Sequence, residues 1–141
     1  MRLLIALAFV ASLAAPALAA DKAPIVVPPP PAGKGQIVFY RTGGFAGSMI
    51  SCAMKEGETK LSSLPPGKYY VHVTEPGKHS YSVSSEAKDV LNVEIEPDDT
   101  QYSRCTIRMG VMAGRPNLSP ATIEEWNTHS PKLKPVEVKA K

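Results

Sequence analysis

The sequence predicts an all-β protein, an antiparallel β-sandwich of about seven strands with one short C-terminal helix. Two Pro-Gly turns, Pro66–Tyr69 and Pro76–His79, stand ten residues apart. Pro-Gly is typical of a type II turn because proline fixes φ near −65° and glycine accepts a positive φ. The segments around these turns are rich in Tyr and Val or alternate large with small residues, which indicates half-buried strands. Such segments recur every 8–12 residues or so, and that spacing is typical of a sandwich or a small barrel.

The order of the strands begins with a continuous apolar segment, Ile37–Tyr40, which indicates a strand that is buried on both faces or lies near the centre of a sheet. The two strands that flank the second Pro-Gly turn are expected to pair as a β-meander. The predicted strands are Gln36–Arg41, Met49–Lys55, Lys60–Leu64, Lys68–Thr74, Lys78–Ser84, Val90–Glu96 and Gln101–Met109.

One short helix is predicted over Ser119–Trp126. Ser119 is a suitable N-cap, Pro120 suits the first helical position, and the following acids favour the first turns. Trp126 is expected to pack this helix onto the sandwich.

The chain divides into four parts. Residues 1–20 carry Arg2, an apolar run and the small-residue site Ala17–Ala19, which is the pattern of a secretory signal peptide. The run is shorter than the roughly 20 residues of a membrane-spanning helix, and no cysteine marks a lipid anchor. We therefore expect a periplasmic or secreted protein that does not span the membrane.

The other three parts follow from composition. Residues 21–34 form a Pro-rich linker in which Pro28–Pro31 favour polyproline II structure. We expect an unstructured lead-in here, with a spacer or a docking peptide as the alternatives. Residues 35–112 make the sandwich, and residues 113–141 make the short helix and a basic, mobile tail.

The charge of the chain excludes one class of partner. The formal net charge is +3, and it falls to +2 when Arg2 leaves with the signal. Nucleic-acid binding needs a clustered basic face and a high charge, so no nucleic acid is expected as a partner.

The two cysteines, Cys52 and Cys105, fall on the apolar faces of the second and last predicted strands. Export permits oxidation, so a buried disulfide between these strands is predicted. Closing so long a loop stabilises a fold by about 4 kcal/mol in the chain-entropy model. The alternative, two thiols at a metal or redox site, lacks a C-x-x-C motif or a neighbouring Cys/His cluster.

A candidate ligand-binding site consists of Tyr40, Arg41 and Phe45, where the first strand enters the glycine-rich loop Thr42–Ser48. A guanidinium fork beside aromatic surface suits a small anionic or sugar ligand. Alternatively, Arg41 pairs with a carboxylate or caps loop carbonyls and has only a structural role. The loop lacks the G-K-[ST] ending of a phosphate-binding loop.

The sequence gives little support for a metal site or a catalytic site. Strand alternation predicts that His72 and His79 face opposite sides of the sheet, so no metal site and no cofactor are expected. Methionines such as Met49 and Met109 are interpreted as filler in the core rather than copper ligands. No Ser, His and acid stand in the spacing of a known hydrolase motif, so no catalytic residue is assigned.

An ordered series of motifs runs through the predicted strands and turns. The motifs are Phe39-Tyr40-Arg41, Gly44–Ser48, Glu56–Glu58, Leu64 with Gly67–Tyr69, Pro76–His79 with Ser82-Val83, and Tyr102. On these motifs the sequence resembles a bacterial exported domain of unknown function between Gly35 and Met109, and more weakly the PEGA-type surface repeats. The resemblance implies a β-sandwich at the cell envelope without an established activity. Two turns, Glu56-Gly57 and Asp98-Asp99, depart from the family pattern, and the cysteine pair lies outside it.

These observations predict an exported envelope β-sandwich that acts as a non-catalytic binding or interaction module. Its partner is expected to be an envelope protein or a small anionic or sugar ligand. The alternative is a structural module of a larger envelope assembly, and a metal-binding protein or an enzyme is a more distant option.

Overall fold

The computed structural model describes residues 21–44, 49–85, 88–109 and 114–137. The predicted signal peptide, residues 1–20, lies outside this part of the chain. Within it the order of elements is β1 (Gly35–Arg41), β2 (Cys52–Glu56), β3 (Thr59–Leu64), β4 (Lys68–Thr74), β5 (Gly77–Ser84), β6 (Lys88–Ile95), β7 (Thr100–Met109), β8 (Gly114–Ala121), α1 (Ile123–His129), a 3₁₀ turn (Ser130–Lys132) and β9 (Lys134–Pro135).

The strands form two sheets, which confirms the predicted β-sandwich. The five-stranded sheet has the order β8-β7-β1-β4-β9, and the four-stranded sheet has the order β3-β2-β5-β6. All the pairs in the four-stranded sheet are antiparallel. The five-stranded sheet is mixed, because β1 runs parallel to β7 and β4 runs parallel to β9. The prediction of a purely antiparallel sandwich is wrong in this respect.

The predicted β-meander is also wrong, because β4 and β5 belong to different sheets. Both Pro-Gly turns do place glycine at positive φ, at Gly67 and Gly77. The second turn carries the chain across the sandwich instead of closing a hairpin. The Pro-Gly residues determine that the chain reverses direction. The sheet that each strand joins is determined by pairing with strands that are distant in sequence.

Strand β1 lies at the centre of the five-stranded sheet and is buried along its whole length, as its apolar run predicts. Its side chains alternate between two separate hydrophobic cores. Ile37 and Phe39 face the core between the sheets, whereas Val38 and Tyr40 face a second core under α1.

The core between the sheets contains the predicted disulfide. Cys52 of β2 and Cys105 of β7 are bonded with their Cα atoms 6.6 Å apart, and this confirms the prediction. Because β2 and β7 belong to different sheets, the bond joins the two layers covalently.

Strand β8 was not predicted, since its sequence GRPNLSPA contains two prolines. Pro116 and Pro120 are tolerated because β8 is an edge strand, whose one partner among the described strands is β7. Ser119 and Pro120 therefore belong to a strand, and the predicted helix start is wrong. The N-cap is Thr122, whose side chain accepts from the Glu125 amide in a capping box.

The second core holds both ends of the described chain in place. Trp126, 1% exposed, packs α1 onto the sheet as predicted, and its Nε1 donates to the Ile25 carbonyl at 2.9 Å. Ile25 and Val27 pack into the same core. The expectation of an unstructured lead-in is therefore wrong for this part of the Pro-rich segment. The expectation of a mobile tail is wrong up to Val136, whose amide donates to the Tyr69 carbonyl.

Candidate functional site

The structure places Tyr40 and Arg41, two of the predicted ligand-binding residues, on opposite faces of β1. Tyr40 is fully buried in the second core, and Arg41, 4% exposed, faces the core between the sheets. The Arg41 guanidinium donates to the carbonyls of Ile50 and, at 3.2 Å, Leu64. Burial lowers the pKa of Arg41. These contacts match the structural alternative, in which Arg41 caps carbonyls near the loop.

Phe45, the third predicted residue, lies outside the described residues. The ligand-binding role of Tyr40, Arg41 and Phe45 stays a prediction. Because neighbouring side chains of a strand point to opposite faces, Tyr40 and Arg41 do not contribute to one common surface.

A cleft of about 560 Å³ lies where the chain leaves β1 and passes the C-terminal end of α1. Its size is within the range that small-molecule sites usually have. The cleft combines the start of the glycine-rich loop with the last turn of α1 and the 3₁₀ turn that follows. Its lining residues are Thr42, Gly43, Thr128, His129, Lys132 and Leu133.

Arg104 of β7 stands beside this cleft, directly opposite Tyr40 in the parallel β1–β7 pair. Its Nη2 donates to the hydroxyl of Thr42, a cleft residue, at a long 3.5 Å. Its Nε is buried and has no hydrogen-bond partner among the described residues. The guanidinium is therefore an under-used donor group, since arginine carries five N–H donors in a fixed fork.

The hydroxyl of Tyr40 is a second buried polar atom without a partner in the described chain. Its ring packs 5.4 Å from Trp126 and 6.1 Å from His129, measured between ring centroids. Burial raises the pKa of Tyr40, the Glu125 carboxylate raises it further, and Arg104 lowers it. The group therefore stays a neutral O–H donor.

The groups that converge on this region are mainly donors. Arg104 and Lys132 carry positive charge, and Tyr40 and Thr42 supply hydroxyls. The Glu125 carboxylate is the opposing charge, and it accepts from the Thr122 amide at 2.8 Å. Guanidinium and hydroxyl donors are the groups that recognise carboxylate, sulfate or phosphate oxygens.

Sequence reasoning identified Tyr40 and the glycine-rich loop but missed Arg104. The signal was present, because alternation in Gln101–Met109 places Arg104 on the same face as Tyr102. The parallel pairing of β7 with β1 was not foreseen, and only that pairing brings Arg104 beside Tyr40.

A second polar cluster joins the two sheets, and it corrects the prediction that His72 and His79 face opposite sides. Both rings face Glu56 of β2. His79 Nδ1 lies 2.5 Å from one carboxylate oxygen, and His72 Nε2 lies 3.6 Å from the other. Strand alternation failed here because it assumes that β4 and β5 belong to one sheet.

This cluster connects the two layers through the Glu56 carboxylate, which faces an imidazole ring from each sheet. His79 Nε2 also lies 2.8 Å from the Glu75 carbonyl, so both ring nitrogens of His79 face oxygen atoms. Burial lowers the pKa of His72, although Glu56 raises it in part and His79 lowers it slightly. Among the described residues no group of three His, Cys, Asp or Glu side chains is placed to hold a metal ion.

Comparison with known proteins leaves the family open. No protein-family model matches the chain, and no curated protein matches it. No helix in the described ranges is long and apolar enough to cross a membrane. Among solved structures, the chain is similar to the N-terminal domain of AlgF from P. aeruginosa, with 22% identity and a TM-score of 0.40 over 65% of this chain and 98% of that one. That similarity is too low to support an argument about function.

Proposed function

We propose that this chain is an exported, non-catalytic binding module that holds a small anionic ligand in the cleft between Thr42 and Lys132. The ligand class is an oxyanion, such as the carboxylate of an acidic sugar, a sulfate or a phosphate. The observation that carries the proposal is Arg104, whose guanidinium makes one long hydrogen bond and has a buried Nε without a partner in the described chain.

The energetic argument concerns those unpartnered donors. A buried donor that lacks an acceptor costs about 1–3 kcal/mol, and such groups in a folded protein call for an explanation. Tyr40 and Arg104, which carry these two donors, are paired on adjacent strands. A ligand oxygen that accepts a hydrogen bond from either group would remove this penalty. The free energy gained in this way would strengthen ligand binding.

The export part of the proposal rests on the signal-peptide pattern and on the disulfide. A buried disulfide between the sheets is typical of an oxidising compartment outside the cytoplasm. The non-catalytic part rests on the sequence, in which no Ser, His and acid stand in the spacing of a known hydrolase motif.

The test is calorimetric titration of the exported protein with glucuronate, sulfate and phosphate, with glucose as the uncharged comparison. At least one of the anions is expected to bind, and glucose is expected not to bind. Arg104→Gln removes the charge and should weaken binding at least tenfold, while a thermal melt shows whether the fold is retained.

The matched control is Arg108→Gln. Arg108 lies on the same face of the same strand and is exposed, so its loss removes an equal charge away from the cleft. Unchanged affinity in Arg104→Gln, or an equal loss in both variants, would refute the cleft as the site.

A further inference from the structure

The outer face of the four-stranded sheet carries four exposed lysines. We call this surface the lysine face and define it by Lys55, Lys60, Lys78 and Lys88. All four are exposed. They alternate along the strands with buried residues such as Met54 and Tyr81, and therefore point away from the core.

The register of the sheet shows how these charges are arranged. Lys60 of β3 stands directly opposite Lys55 of β2, and Lys55 stands opposite Ser82 of β5. Like charges directly opposite one another in a sheet are destabilising. None of the four lysines forms an ion pair with a described carboxylate.

Between the lysines lies a row of small hydroxyl side chains. Ser80, Ser82 and Ser84 occupy successive outward positions of β5, so the row extends for about 14 Å. Ser80 Oγ donates to Asn92 Oδ1 at 2.5 Å. The only described acid among these outward positions on β5 and β6 is Glu94, opposite Lys78.

A shallow groove of about 390 Å³ crosses this surface at its β5–β6 end, and Lys78, Ser80, Asn92 and Glu94 contribute to its lining. Ammonium, hydroxyl, amide and carboxylate groups together are suited to the hydroxyls and charged groups of a sugar ring. The groove is large enough to be a small-molecule subsite.

We infer that the lysine face binds an acidic polysaccharide that lies along β5, with its carboxylates beside the lysines and its hydroxyls over the serine row. Charge complementarity supports this occupant, because the face has four lysines and the outward positions of β5 and β6 carry one described acid. A lipid surface is less suited, since surface-bound proteins usually insert apolar side chains and Val90 is the exposed large apolar residue on the described part of this face.

The test uses the exported protein and polygalacturonate, with dextran as the neutral polymer and vesicles containing anionic phospholipid as a separate arm. Polygalacturonate is expected to bind at low ionic strength and to be released by salt, because each lysine contact releases counterions. Dextran and the vesicles are expected not to bind. Binding to the vesicles but not to polygalacturonate would overturn the inference in favour of a membrane surface.

Two sets of variants locate the binding. Lys55→Gln with Lys60→Gln should weaken polygalacturonate binding at least tenfold, with an unchanged or slightly raised melting temperature. The control pair is Lys22→Gln with Lys134→Gln, two exposed lysines elsewhere in the chain, which should change affinity less than twofold. An equal loss in both pairs would show unspecific attraction and would overturn the inference.

A charge-neutral variant tests the sugar itself. Ser80→Ala with Asn92→Ala keeps all the lysines and should weaken polygalacturonate binding at least threefold. Unchanged affinity would mean that only charge is recognised, which would overturn the assignment to a polysaccharide. This surface is separate from the cleft beside Arg104, so the inference does not rest on the proposed anion site.

Discussion

Tyr40 and Arg104 stand directly opposite each other on the parallel strands β1 and β7, and a polar atom of each side chain is buried without a partner in the described chain. The anion site proposed above depends on these two donors, and the first prediction tests one of them.

Tyr40→Phe should separate stability from binding. Removal of a buried hydroxyl without a partner should leave the free energy of unfolding unchanged or raise it by about 1 kcal/mol, while anion affinity should fall several-fold. Urea denaturation and calorimetry measure the two effects. The comparison is Tyr102→Phe, since Tyr102 also stacks on Trp126 but its hydroxyl is not among the buried orphans. A loss of more than about 1 kcal/mol in Tyr40→Phe would mean that the hydroxyl is already satisfied.

Arg41→Ala should reduce stability. The guanidinium is buried and donates to the carbonyls of Ile50 and Leu64, so its removal leaves buried acceptors without donors. A loss of about 2–4 kcal/mol is expected in urea denaturation, against little change in Arg108→Ala. A variant that melts like the wild type yet fails to bind the anion would restore Arg41 as a binding residue.

Loss of the disulfide should lower the free energy of unfolding more than loss of a surface contact does. The bond joins residues 53 positions apart and links the two sheets. Cys52→Ala with Cys105→Ala should lower the free energy of unfolding by about 2–5 kcal/mol. Thiol titration of the unreduced, denatured protein should find no free thiol, and two titratable thiols would contradict the bond.

Acid should destabilise the protein through His72. Burial holds the folded-state pKa of His72 below its ordinary value of 6.5, so the unfolded chain binds more protons as the pH falls below that value. Stability is therefore fully present above about pH 6.5 and declines on acidification. The facing groups are Glu56, His79, Tyr70 and Tyr81.

His72→Gln should flatten this decline in melting temperature between about pH 7.5 and 5, the range in which histidine titrates. His129→Gln is the comparison, because His129 lies near the end of α1 and away from the Glu56 cluster. An equal slope in the wild type and in His72→Gln would assign the acid sensitivity to other groups.

Trp126→Ala should open the second core. The indole is 1% exposed, and Nε1 holds the Ile25 carbonyl. A loss of about 3–5 kcal/mol is expected from the cavity, together with faster proteolysis near Ile25. Protease resistance equal to that of the wild type would show that the segment is held by other contacts, such as the Ile25 amide to Ser130 Oγ.

Local chemistry was enough to predict seven of the strands and the disulfide. Alternation of apolar and polar residues is a local signal, and it placed Cys52 and Cys105 on buried faces before their distance was known. A continuous apolar run, Ile37–Tyr40, predicted that β1 is buried on both faces or lies near the centre of a sheet. Turn residues also behaved as expected, since Gly57, Gly67 and Gly77 all adopt positive φ.

Local sequence patterns did not predict strand β8 or the start of the helix, because both depend on the order of strands in the sheet. Pro116 and Pro120 argue against a strand anywhere except at an edge, and only the sheet order shows that β8 is an edge. Because Ser119 and Pro120 belong to β8, the N-cap of the helix is Thr122 and the helix begins at Ile123.

The sequence by itself therefore determined the fold class, the positions of most strands and the covalent link between Cys52 and Cys105. Only the tertiary structure determined which faces of different strands contact each other. The crossing from β4 to β5 brought His72 and His79 to Glu56, and the parallel pairing of β1 with β7 brought Arg104 to Tyr40. The physical reason is that alternation specifies which residues share a face of one strand, whereas the partner of that face is chosen by packing between residues far apart in the chain.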